Sequence, residues 1–238
     1  MLKINNLTKN YPGSKKGVND LTLHVEGGDL YAFIGHNGAG KTTTLKAVCG
    51  IHEFESGEIL VDGINIKEDA LSAKARLAYI PDNPDLFEYL TGIQYLNFIG
   101  DVFSIPAKER QEKIKKFADD FEITKSLGDL ISTYSHGMKQ KLAIISAIMH
   151  EPKLLVLDEP FVGLDPKAAL VLKGIMRDLC NSGGAVFFST HVLEVAEKLC
   201  NKVAIIKDGS LVTKGAMTDV VKDGSSLESI FMEVGVDE

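Results

Sequence analysis

The chain has little of what several broad protein classes require. Basic residues are in deficit, with 26 Lys and Arg against 33 Asp and Glu and a formal charge of −7. No strongly basic face is implied, and nucleic acid is not expected as a partner. Cysteines number three, Cys49, Cys180 and Cys200, with no C-x-x-C spacing. That excludes a disulfide framework and predicts small buried thiols in a reducing compartment. Long apolar runs are missing too. The opening Met1-Leu2-Lys3-Ile4-Asn5-Asn6 has no apolar core of a secretion signal. The longest mostly apolar stretch, Leu142 to Met149, falls far short of the roughly 20 residues of a membrane span. No repeat, low-complexity tract or linker interrupts the chain. These absences predict a single cytoplasmic domain over residues 1–238, with length enough for a sizeable core.

What the chain does have is concentrated in Gly35-His36-Asn37-Gly38-Ala39-Gly40-Lys41-Thr42-Thr43. The run fits G-x-x-x-x-G-K-[ST], the loop that wraps nucleotide phosphates. The apolar Leu30–Ile34 before it reads as a buried strand, and Thr43 to Val48 after it reads as a helix. A strand feeding a glycine turn into a helix N-terminus aims backbone N–H groups and the helix dipole at one point. Bare glycines keep side chains out of the phosphates' way and supply positive φ. Lys41 is expected to reach the β- and γ-phosphates, and the Thr42 hydroxyl to ligate Mg²⁺.

Elsewhere the pattern predicts antiparallel strands at Leu2 to Leu7 and Leu21 to Val25, and a hairpin of Gly57–Val61 with Ile64–Ile66 around Asp62-Gly63. Residues about 86–150 turn helical, with Pro106 expected to open a helix. Strands at Leu154–Leu157, Ala185–Ser189 and Lys202–Ile206 then alternate with helices at Lys167–Leu179 and Val192–Leu199, which argues a parallel sheet. A second hairpin at Asp208-Gly209 leads to a short helical tail ending near Val234. The fold class is α/β: a P-loop nucleotide-binding core, an antiparallel β flank and a helical subdomain inserted at about 86–150.

Leu154-Leu155-Val156-Leu157-Asp158-Glu159 is a buried strand ending in two adjacent carboxylates, and such strand ends are where ligands sit in open α/β sheets. Asp158 is expected to hold Mg²⁺ through water, and Glu159 to take the proton of the attacking water. Tyr134-Ser135-His136-Gly137-Met138-Lys139-Gln140 opens a helix that Ser135 caps. This segment resembles the signature of ATP-binding cassette (ABC) ATPases, and the order of motifs agrees along almost the whole chain. Gly35–Thr42 is similar to the family's Walker A, Leu154–Glu159 to its Walker B, Gly163-Leu164-Asp165 to its D-loop and Ser189-Thr190-His191 to its switch histidine. Tyr11 sits where the adenine-stacking aromatic sits. Departures are Asp82, in Tyr79-Ile80-Pro81-Asp82, where a glutamine is common, and Tyr134, His136 and Met138 within the signature.

The resemblance implies an ATP-hydrolysing subunit that powers a membrane transporter, most similar to the exporter branch of drug and antibiotic resistance. It implies Tyr11 on adenine, Gly35, Asn37, Gly38, Ala39, Gly40, Lys41, Thr42 and Thr43 around the phosphates, and Thr42 and Asp158, with Asp82, near Mg²⁺. Glu159 would activate the attacking water, and His191 would orient that water or bond the γ-phosphate. In this family two subunits pair head to tail, so Ser135, Gly137 and Asp165 would serve the ATP of a homodimeric or heterodimeric partner. A separate transmembrane permease would be the load, with this chain peripheral on the cytoplasmic face of the membrane. Leu86-Phe87-Glu88-Tyr89-Leu90 is either its docking surface or part of the helical subdomain's core. Two alternatives stay open: an ABC ATPase serving a signalling or cell-envelope partner without transport, and a P-loop kinase, which would need an acceptor pocket and no activated water. The tail from Ser226 is expected to be too short for a regulatory domain.

Overall fold

The computed structural model of the chain describes residues 1–11, 13, 17–222 and 224–235. Its backbone divides into two compact units. The first comprises Met1–Tyr79, Lys153–Pro160 and the chain from Met176 onward; the second comprises Ile80–Pro152 and Phe161–Ile175.

Two sheets make up the first unit. Strands β1 (Leu2–Asn10) and β2 (Gly17–Val25) alternate buried and exposed positions over much of their length, as strands with one wet face do. They pair antiparallel, and β1 also pairs antiparallel with β4 (Ser56–Val61), which turns into β5 (Ile64–Asn65). The Asp62-Gly63 turn has φ of 49° and 81°, and Asp208-Gly209 has 47° and 80°. Positive φ at both central residues is the turn whose twist matches a two-residue hairpin, which is why Asp-Gly occupies both.

The second sheet runs β10-β9-β3-β8-β7-β6. Its members are β3 (Leu30–Ile34), β6 (Leu77–Ile80), β7 (Leu154–Asp158), β8 (Ala185–Thr190), β9 (Lys202–Lys207) and β10 (Ser210–Ala216). β3, β7 and β8 are buried at every position, the signature of parallel strands covered on both faces. β9, β3, β8 and β7 pair parallel, and β10 closes the edge antiparallel. Helices of this unit include α1 (Lys41–Val48), the short α2 (Ala70–Lys74), α7 (Leu193–Leu199), α8 (Met217–Val220) and α9 (Leu227–Gly235). Both sheets feed one core, in which Leu2, Ile4, Leu21 and Ile59 join Phe33, Leu45, Val156 and Phe187. The Phe33 and Phe187 rings lie 5.3 Å apart and are fully buried; each such side chain contributes about 1.5–3 kcal/mol by leaving water.

The second unit is helical. Thr91 and Gln94 form a reciprocal capping box at the start of α3 (Gly92–Val102), supplying partners for two otherwise orphaned donors. The heavily charged α4 (Ala107–Asp120) buries Ile114 and Ala118, one turn apart on a single stripe. α5 (His136–Ile148) is capped by Ser135 and buries Leu142, Ile144, Ile145 and Ile148. Pro106 precedes α4 with ψ of 143° and is not its first residue: its own backbone is extended, and Ala107 begins the helical turn. α6 (Pro166–Asn181) begins in this unit one residue earlier than the pattern predicts, because proline suits a helix's first position.

Candidate active site

Parallel register brings three loops of the first unit to one sheet edge. Ile34 stands opposite Thr190 and Asp158 opposite Ser189. The loop after β3, the carboxylate pair at the end of β7 and His191 after β8 therefore emerge together at the carboxyl ends of the strands.

The glycine loop has the conformation that its composition demands. Gly38 and Gly40 have φ of 86° and 111°, in the left-handed region that favours glycine. A Cβ on Gly40 would lie 2.8 Å from the Gly17 carbonyl oxygen, and one on Gly35 2.5 Å from that of Ile206. Gly40 precedes α1 and offers no side-chain cap. The helix's first N–H groups thus meet no side chain of that residue, an arrangement suited to an anion. Ala39 is buried and Asn37 exposed beside it.

Lys41 is 7% exposed. Its Nζ donates to the carbonyls of Gly35 (2.6 Å) and His36 (3.3 Å) and lies 4.0 Å from Glu159 Oε1. Burial pushes the ammonium below its ordinary range, against the opposing pull of Glu159 and Asp158. A desolvated cation among carbonyls gains more from an arriving phosphate than one in water.

Thr42 Oγ1 donates to Asp158 Oδ2 at 2.7 Å, and Ser189 Oγ donates to the other carboxylate oxygen of Asp158. The Glu159 N–H is shared by the Ser189 hydroxyl (3.1 Å) and carbonyl (3.2 Å). Glu159 itself has φ of 48°, a left-handed conformation that costs a non-glycine residue free energy and concentrates at functional sites. Its Oε2 lies 2.9 Å from His191 Nδ1 and accepts the His191 N–H at 3.3 Å. Glu159 is 16% exposed and His191 59%, so the imidazole is the wet end of the pair. Tyr11 reaches the same loop, its hydroxyl 3.3 Å from Thr43 Oγ1 and its ring edge-on to His52 at 6.2 Å.

The donor set suits Mg²⁺ held jointly with phosphates. Thr42 and Asp158 present hard oxygens that already converge. No cluster of three or more His, Cys, Asp or Glu that could cage a metal occurs among the described residues. Mg²⁺ typically takes one or two carboxylates and completes its shell with water and substrate phosphates.

Asp82, Ser135, Gly137 and Asp165 belong to the second unit. Asp82 is exposed and its Oδ1 accepts the Asn83 N–H at 2.9 Å. Ser135 Oγ accepts the Met138 N–H at 3.3 Å. A Cβ on Gly137 would lie 2.8 Å from the Gly163 carbonyl oxygen, so the start of α5 and the loop before α6 approach backbone to backbone. Asp165 caps α6 by accepting the Ala168 N–H (2.8 Å) and pairs with Lys141 Nζ (2.6 Å). The Lys141 hydrogen bond, aided by the Ala168 N–H, holds its carboxyl below the usual range. Tyr134 is buried and its hydroxyl donates to the Ser126 carbonyl at 2.5 Å, which explains how a tyrosine is accommodated at that position. Leu86 is buried, whereas Phe87, Tyr89 and Phe98 are 43%, 75% and 44% exposed. The Phe87 ring centroid lies 5.9 Å from that of Tyr89 and 5.6 Å from that of Phe98.

Sequence reasoning missed Ser189 as a member of the site. Its only signal was position, two residues before His191 at the end of a strand.

The ABC transporter family model matches residues 18–162. The linearmycin resistance ATP-binding protein LnrL of Bacillus subtilis (strain 168) is 32% identical over 220 residues, covering 92% of this chain and 70% of that protein. A solved structure described as the ATP binding subunit of an ABC transporter superposes with a TM-score of 0.93 at 31% identity, covering 99% of both chains. The dimeric, post-hydrolysis ATP-binding cassette MJ0796 bound to ADP and Pi shares the fold, with a TM-score of 0.82 at 21% identity over 91% of this chain and 99% of that one.

Proposed function

Since the chain belongs to the ABC transporter family, we propose that it is the ATP-hydrolysing subunit of a membrane exporter, driven by ATP-dependent closure of a dimer. The observation that carries the enzymatic part is the convergence of Lys41, Thr42, Asp158, Glu159 and His191 at one sheet edge. Export is supported by the likeness to a protein of antibiotic resistance. Among the described residues no helix is long and apolar enough to cross a membrane; the proposed load is a transmembrane permease carried on a separate chain. This chain would then work peripherally at the cytoplasmic face.

Tyr11 stacks on adenine, and Gly35, Asn37, Gly38, Ala39, Gly40, Lys41 and Thr43 cradle the phosphates. Thr42 and Asp158 would hold Mg²⁺, with Asp82 assisting, and the ion would supply neutralisation of charge developing on the phosphate oxygens. Glu159 accepts the proton of the attacking water, and His191 orients that carboxylate through the Nδ1 contact. Ser135 and Gly137, at the N-terminus of α5, face the phosphates held by the partner subunit, where a helix dipole and N–H donors stabilise transition-state charge. Asp165, tied to α5 through Lys141, links the D-loop to that surface. The segment at about 86–150 serves as the inserted helical subdomain.

Phe87 and Tyr89, with Phe98, form an exposed aromatic cluster of the kind that anchors interfaces. It is the proposed contact with the permease. Replacing Phe87 and Tyr89 together by Ser should reduce recovery of the chain with membranes while leaving ATP hydrolysis and the thermal midpoint unchanged. Loss of folding would assign the cluster to the core instead. Release of free phosphate from ATP with no acceptor present separates this reading from a kinase.

A further inference from the structure

The last described helix is tied down rather than loose. α9 is fixed at both ends within the first unit. Leu227 is fully buried and its N–H donates to Glu197 Oε2, on α7, at 2.8 Å. The Val234 carbonyl accepts Lys207 Nζ, at the end of β9, at 3.1 Å. Between these anchors Phe231 packs on His36, the second residue of the phosphate-binding loop, with ring centroids 4.5 Å apart and planes inclined by 42°. One helical turn further on, Gly235 faces the same imidazole: a Cβ there would lie 3.1 Å from His36 Nε2. Residues four apart share a helix face, so Phe231 and Gly235 form one seat for the His36 ring.

His36 matters because of its backbone. Its carbonyl accepts the Ala39 N–H (3.1 Å), which closes the turn of the loop, and Lys41 Nζ (3.3 Å). The flank of the loop beside it opens into a cavity of about 270 Å³ lined by His36, Asn37, Gly38, Lys207 and Asp208 among others. A loop rich in glycine and backed on that side by open space gains little rigidity from its own side chains.

We infer that Phe231 is a positioning residue for the phosphate-binding loop: through His36 it holds the loop backbone in the shape that receives the nucleotide's phosphates. The inference rests on the ATP-binding reading above and adds to it a residue almost two hundred positions away, on the last helix. Without the ring, the loop must be ordered at the moment of binding, and affinity falls while chemistry at saturation does not.

The test uses the full-length chain with EDTA present, so that binding is read without turnover, and a fluorescent ATP analogue displaced by ATP. Phe231→Ala should raise the Kd by about 3- to 10-fold, the range expected for loss of one aromatic pair. In Mg²⁺-containing assays KM should rise with kcat within about twofold. Phe231→Tyr should restore the wild-type Kd, and Phe231→Leu, which keeps apolar volume for folding, should fall between. His36→Ala should weaken binding similarly, and adding Phe231→Ala to it should change nothing more. A wild-type Kd in Phe231→Ala, additive losses in the double variant, or failure of Tyr to rescue would each overturn the inference. If the wild-type chain itself binds no ATP, the nucleotide reading fails first and this inference falls with it.

Discussion

Replacing Glu159 by Gln isolates the proton acceptor from everything else in the site. The backbone there is pinned by the two hydrogen bonds from the Glu159 N–H to Ser189. Glutamine has the same length, and its amide oxygen can still accept the His191 N–H. What disappears is the carboxylate's basicity and its negative charge 4.0 Å from Lys41 Nζ. A positioned general base accelerates a reaction by roughly 10²–10⁴-fold, equivalent to about 3–5 kcal/mol of barrier. Phosphate release at saturating ATP should therefore fall by a factor within that range. ATP binding should be retained, because Lys41, the glycine loop and Thr42 are untouched and the field at Lys41 becomes more favourable to an anion. With hydrolysis blocked and binding intact, ATP should accumulate a dimer visible by sedimentation or gel filtration. A Glu159→Gln enzyme turning over within about threefold of wild type would refute the assignment of the base, since too little of the barrier would then depend on the carboxylate.

Burial lowers the Lys41 ammonium while Glu159 and Asp158 raise it; ATP binding needs the charged form, so affinity should fall as pH rises toward the Lys41 pKa. In Glu159→Gln one raising influence is gone, and that alkaline fall should move to lower pH in a binding titration; an unmoved profile contradicts the coupling. Gly137→Ala places a Cβ 2.8 Å from the Gly163 carbonyl oxygen, so backbone must shift where the signature helix meets the D-loop. Steady-state hydrolysis should fall by about 10²-fold while nucleotide binding by the isolated chain stays near wild type, and unchanged turnover would count against the role of that contact. Phe187→Ala removes a fully buried ring packed against Phe33 and should cost about 3–5 kcal/mol in chemical denaturation; a loss under about 1 kcal/mol would mean that the core re-forms around the gap.

Legibility in the sequence tracked the range of the interactions concerned. The Asp62-Gly63 and Asp208-Gly209 hairpins, the wholly buried Leu30–Ile34 and Leu154–Asp158, and the Ser135 cap are local matters of φ, apolar pattern and a donor three residues away, and each is written in adjacent residues. The strand–loop–helix around Lys41 is equally local. The site's assembly is not. Ser189 acquires its part because parallel register sets it opposite Asp158, and no pattern within either segment states that register. The Lys141–Asp165 pair and the Gly137–Gly163 approach depend on packing between segments more than twenty residues apart. The contact of Phe231 with His36 joins the last described helix to the loop after β3, and a helix of nine residues carries no sign of what it covers. Pro106 stands one position before the helix that the pattern has it open, because proline is compatible with both the residue before a helix and its first turn.

Whether this ATPase drives a membrane transporter is decided by isolating the tagged chain from its native membranes in mild detergent. A polytopic membrane protein should co-purify at near-equal amount, lost when Phe87 and Tyr89 are both replaced by Ser and retained in Glu159→Gln. Recovery of the chain alone, or with a partner that does not span the membrane, would leave the ATPase standing and contradict transport.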